Sequence, residues 1–136
     1  MRTLLITALA ATSLCTAAIA RDSSLMESAP SDATTVNNYY KQTVYDQSDN
    51  KIGEIMDVLL GRGGRVDGLI IGVGGFLGAG EKDVLVPFDA VQNKMTDNKW
   101  HLVMNTTKEA LKSAHGFTYD DSKTSWQPNK SQPTSK

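Results

Sequence analysis

Cysteine is almost missing from this chain: Cys15 is the only one in 136 residues. Everything after it is therefore barred from disulfides, thiolate chemistry and cysteine-based metal sites. Histidine is nearly as scarce, with only His101 and His115. Charge of one sign is not in excess either, with 14 basic against 15 acidic residues. That balance supplies no electrostatic drive toward nucleic acid or an anionic membrane. Long apolar runs are lacking too. The best is the largely apolar stretch from Leu4 to Ala11, and Thr12, Ser13 and Thr16 keep it from extending further. A span needs about 20 mainly apolar residues, so a transmembrane anchor is the weaker reading of this stretch.

The stretch reads better as an export signal. Arg2 precedes the apolar run, and Ala18-Ile19-Ala20 puts small residues where a signal peptidase cuts, ahead of Arg21. A lipoprotein signal ending at Cys15 would need a small residue where Leu14 stands. The expectation is a cleavable signal peptide over 1–20 and a periplasmic or secreted product. Arg2 is the only charged residue of the first twenty, so the remainder carries 13 basic and 15 acidic side chains.

Residues 21–38 are rich in Ser, Asp, Thr and Ala and read as a flexible leader. Residues 120–136 read as a disordered tail, in which Trp126 alone has the surface to dock on the domain or a partner. The foldable domain is expected over 39–119. Short apolar segments alternate there with turn signals: 43–45, 52–60, 65–73, 83–87, and two flanking Asp97-Asn98. In the last of these, Lys99 to Met104, strict alternation puts Trp100, Leu102 and Met104 on one face. Thr106 and Glu109 have the spacing of a helix capping box, and Gly116 offers the stop. The expected fold is mostly β, a small closed or partly open barrel of about six strands with one short C-terminal helix.

The most unusual segment is Gly72 to Lys82, in which five of eleven residues are glycine. It is not a dinucleotide fingerprint, because Leu77 stands where the third glycine belongs. Nor is it a phosphate loop, because Glu81 follows Gly80 where lysine belongs. Val84-Leu85-Val86 then continues as a strand, so no helix N-terminus faces a ligand. The glycines Gly53, Gly74, Gly75, Gly78 and Gly80 are read as structural. Two readings of Phe76 and Leu77 remain open: core plugs, the commoner fate of such residues, or an apolar interaction tip flanked by Glu81 and Lys82.

Three segments together resemble the PRC-barrel family: Val44-Tyr45-Asp46, then Lys51 to Leu60, then Gly74-Gly75-Phe76-Leu77-Gly78-Ala79-Gly80-Glu81-Lys82-Asp83-Val84-Leu85-Val86-Pro87. The family takes its name from the cytoplasmic domain of the H subunit of purple bacterial photosynthetic reaction centres, and this chain looks most like its exported, single-domain members. The resemblance implies a small β-barrel used for interaction and assembly, with no catalytic residues and no cofactor to carry over. It implies a partner that is another protein or a second copy.

Catalysis and metals find little support in the residues themselves. No G-x-S-x-G elbow is present, and Asn105-Thr106-Thr107 has glycosylation spacing that helix capping explains more simply. Glu54 and Asp57 lie three apart in a strand, which sends them to opposite faces and away from paired acid–base work. Asp57 is better read as fixing a turn or a neighbouring backbone donor. A zinc site would need Asp57 or Glu54 beside a histidine. The competing function class is a small-molecule or metal binder using the barrel mouth near Asp57, His101 and Lys82.

Overall fold

The structure, a computed structural model, describes residues 25–75, 80–97 and 99–130. The expected signal peptide and its cleavage site lie outside these residues. Two compact units divide the chain, one ending at Ala33 and the other running from Thr34 onward. In the first, Leu25 and Met26 are exposed.

The second unit opens with a single 3-10 turn, Val36–Asn38. Eight strands follow: β1 Thr43–Tyr45, β2 Lys51–Leu60, β3 Val66–Val73, β4 Lys82–Pro87, β5 Val91–Thr96, β6 Lys99–Met104, β7 Gly116–Asp120 and β8 Ser125–Pro128. One helix, α1 Lys108–Ser113, joins β6 to β7. All eight strands belong to one sheet in the order β5-β6-β1-β2-β3-β4-β7-β8, antiparallel except where β1 pairs with β6.

The strands through β6 start and end within a residue or so of where apolar patterning puts them. Three expectations are corrected. There are eight strands among the described residues instead of about six. The helix is not C-terminal, because β7 and β8 come after it. The sheet also runs past Tyr119 into residues expected to be a disordered tail. Ser125–Pro128 has too little apolar content to announce a strand, and it becomes one by pairing with β7. The sheet is open, with β5 and β8 at its edges.

The sheet nonetheless curls around one core. Val91 on β5 and Val84 and Val86 on β4 belong to the same buried cluster, although five strand spacings separate them in sheet order. A flat sheet would hold them roughly 24 Å apart. Val44, Ile55, Leu69, Ile71, Val73 and Leu102 fill this cluster at 0–2% exposure. Each buried side chain of this size contributes about 1.5–3 kcal/mol of apolar transfer. Tyr39 lies tilted against Phe88, with ring centroids 5.1 Å apart, and meets Trp100 edge-on, closing one end.

The helix is anchored by Leu111, which is buried, and by Ala114 packed against the core; Ala110 is exposed. Its N-cap is Thr107, one residue later than the capping-box spacing suggests. Thr107 Oγ1 accepts from Ala110 N at 3.1 Å. Gly53 is required by close approach: a Cβ there would lie 2.5 Å from Ile71 Cγ2 and 2.8 Å from the Gly72 carbonyl.

Candidate functional site

The glycine-rich segment is the loop of a β-hairpin. Val73 pairs with Lys82, so residues 74–81 connect β3 to β4. Gly74, Gly75 and Gly80 take φ of +81°, +75° and +72°, a region that favours glycine. Phe76, Leu77 and Gly78 lie outside the described residues. The two charged residues of the expected tip part company. Lys82 Nζ donates to the Lys112 carbonyl at 2.8 Å, a cation at the C-terminal end of α1. Glu81 is exposed and lies over Gly72, lining a cavity of about 620 Å³ with Glu54, Met56 and Lys51.

The expected mouth site is not assembled. Asp57 is engaged twice, its Oδ1 accepting from Val58 N and its Oδ2 from Trp126 Nε1, both at 2.8 Å. His101 stacks on Tyr45, with ring centroids 4.5 Å apart, and its Nε2 lies 3.1 Å from Asp49 Oδ1. Lys82 is at the helix. His115 lies edge-on to Phe117. Among the described residues no group of three histidine or carboxylate side chains is placed to hold a metal.

Asp57 leads instead to the second face of the sheet, which sequence reasoning misses. Ile55 pairs with Ile71 and Asp57 with Ile70, so Met56 is an extra residue in the ladder. This β-bulge resets the side-chain phase of β2. Glu54 pairs with Gly72 and Asp57 with Ile70, two positions apart on β3, so both carboxylates share one face. The expectation of opposite faces is therefore corrected. Periodicity holds only for an unbroken ladder, and a bulge is invisible in the apolar pattern.

That face has its own architecture. Ile70 is 0% exposed yet stands apart from the main cluster. Its cross-strand neighbours are Asp57 and Leu85. The Trp126 indole, tied to Asp57 and edge-on to Tyr119 at 5.6 Å, brings the β7–β8 hairpin over this side. The hairpin joins the sheet through the pairs Asp83 with Phe117 and Val84 with Gly116.

Beyond the indole the face opens into an apolar groove of about 370 Å³ lined by Leu59, Gly68, Leu85 and Pro87, with Asp67 on its rim. A Cβ at Gly68 would meet Leu85 Cδ1 and the Val86 carbonyl at 2.9 Å, so glycine leaves the groove floor bare. Leu85 at 40% is exposed here, and Leu60 at 65%, the next residue after Leu59 at the end of β2, is exposed beside the groove without lining it. The available signal was the alternation of β4 itself. It buries Val84 and Val86 and leaves Leu85, a large apolar residue, on the other face between Asp83 and Pro87. Asp83 is also unusual. Its Oδ1 is buried without a hydrogen-bond partner, and burial pushes the carboxyl above its ordinary pKa.

A single curled sheet with one short helix and an apolar groove on its second face defines a small β module built around surfaces. The family model for the PRC-barrel domain matches residues 32–110, and the chain belongs to that family. The match runs from the leader into α1 and stops short of β7 and β8. No curated protein matches the chain.

Proposed function

We propose that this chain is an exported, non-catalytic interaction module that binds a protein partner or itself through the surface of its sheet. The observation carrying this reading is the groove on the second face. A sheet face that serves only solvent has no need of an exposed leucine, Leu85 at 40%, beside Leu59 and a bare glycine floor. Membership of a family of assembly domains favours the same reading. Phe76 and Leu77, between Gly75 and Gly78, are a second candidate contact by residue type alone.

Export is carried by Arg2, the apolar run and Ala18-Ile19-Ala20. It is checked by the N-terminal sequence of the accumulated protein, expected at Arg21. Binding is tested by crosslinking and affinity capture from the intact periplasm. The wild type is compared with Leu85→Asp and with Phe76→Asp/Leu77→Asp, and each variant is first shown to melt cooperatively. The expected result is a reproducible crosslinked partner, or a crosslinked multimer, that the Leu85 variant loses. Capture of nothing by the wild type would overturn the reading.

A further inference from the structure

The end of the sheet that carries the groove also carries the means to fill it, and we propose that two copies of the chain pair there, isologously, about a two-fold axis. This rests on the interaction-module reading and names the partner as a second copy.

The β2–β3 turn is Gly61-Arg62-Gly63-Gly64-Arg65, and it directly follows the exposed Leu60. Gly63 and Gly64 take φ of +91° and +80°, and a Cβ on either would meet nothing within 4 Å, so the turn stands clear of the rest of the domain. It therefore presents two guanidinium groups, Arg62 and Arg65, in a turn that follows the exposed Leu60 at the end of β2. The groove beside it is the converse, apolar inside with Asp67 on its rim. Asp67 and Asp89 also line the adjoining cavity of about 530 Å³, together with Arg65.

All four charged residues are exposed, and none of them forms an ion pair among the described residues. The ion pairs that do form lie elsewhere, at Lys51–Glu54, His101–Asp49 and Lys123–Asp120. One end of the domain thus holds a leucine and two unpaired cations next to an apolar groove with one unpaired anion, Asp67, on its rim and a second, Asp89, in the adjoining cavity. A patch whose two halves complement each other is what an isologous contact requires, because each copy offers both halves to its partner. In the paired arrangement Leu60 of each copy enters the other's groove against Leu59 and Leu85. Arg62 and Arg65 then face Asp67 and Asp89 across the axis. A foreign partner would need to supply only a leucine with cations, whereas this chain supplies both sides. The apolar contacts give the affinity, and the charges set the register.

The test uses the chain as the cell accumulates it, measured by sedimentation equilibrium up to about 100 μM, a range that covers a weak dimer. The wild type is expected to be a dimer whose dissociation constant rises with salt. Leu60→Asp/Leu85→Asp should be monomeric throughout while keeping a cooperative melt. Arg62→Glu/Arg65→Glu and Asp67→Lys/Asp89→Lys each place like charges across the axis, so each alone should lose about 100-fold or more in self-affinity. Mixed in equal amounts, these two variants should recover a heterodimer, an outcome that a merely destabilised fold would not give.

Three results would overturn the proposal: a monomeric wild type at the highest concentration, a dimer indifferent to both charge reversals, or no recovery on mixing. A monomeric wild type that still captures a different protein through Leu85 would end the self-pairing model and leave the interaction-module reading standing. A monomer that captures nothing would end both.

Discussion

The two faces of the sheet solve the burial problem in different ways. The inner face is lined from β1 to β6 by alternating aliphatic side chains that meet in one cluster, with Tyr39, Trp100 and Leu111 closing it. Two buried aliphatic residues, Ile70 and Val103, stand outside that cluster, and the β7–β8 hairpin on the Ile70 side is joined to the sheet through two backbone pairs and one indole–carboxylate hydrogen bond. The inner face is redundant, since many contacts share the load. The outer face depends on a few specific ones and is left open beyond them. A face left uncovered gains less from burial than a core does, so the outer face is expected to be the less stable of the two.

Truncating the inner face should produce the largest effect. Ile71→Ala removes a fully buried side chain amid fully buried neighbours and should cost about 2–5 kcal/mol in urea-induced unfolding. Ile70→Ala sharpens the comparison. It makes the same chemical change one residue away on the other face, under a cover that can settle onto the gap, and should cost about 2 kcal/mol, near the lower bound for this class. Equal losses at the two positions would break the distinction between the faces.

Smaller effects should separate the hairpin from the rest. Trp126→Phe keeps an aromatic ring and removes the hydrogen bond to Asp57, for an expected loss of about 1–2 kcal/mol. Amide hydrogen exchange should speed up in β7 and β8 and stay unchanged in β2 and β3. Thr107→Ala removes the N-cap of α1 and should cost about 1 kcal/mol, read by thermal melting.

The smallest effect concerns pH. Burial raises the Asp83 pKa in the folded state, so the folded protein holds that proton more tightly than the unfolded chain. The resulting stabilisation is complete below the ordinary aspartate pKa and is lost as pH rises through the folded value. Asp83→Asn should therefore be the more stable form at neutral pH and should match the wild type below about pH 4. Denaturation midpoints measured across the acid range check this.

How far the sequence could be read depends on how local the cause is. β1 and β6 are legible to the residue, because Thr43-Val44-Tyr45 and the alternation Trp100, Leu102, Met104 need no knowledge of neighbours. The helix is legible with a one-residue error, because Thr106 and Thr107 can both cap and only the packing of Leu111 chooses between them. β7 and β8 are not legible, since Thr118, Tyr119, Ser125 and Gln127 offer no apolar stripe and form strands only by pairing with each other. Residue type alone makes Trp126 a side chain able to dock. It also makes Asp57 a group able to fix a backbone donor, and Asp57 Oδ1 does accept from Val58 N. That the two residues meet across 69 positions of chain has no local sign.

The sequence by itself determined that this is one small β domain of the PRC-barrel family, without cysteine chemistry after Cys15 and with glycines gathered between β3 and β4. These properties follow from residue type and short-range pattern, which act before any long-range contact forms. Only the tertiary structure decided that the sheet stays open at eight strands, that Glu54 and Asp57 share a face, and that Leu59, Gly68 and Leu85 line one groove. Each of these depends on ladder register. A single inserted residue at Met56 moves side chains from one face to the other, and nothing in the composition or periodicity of the strand records it.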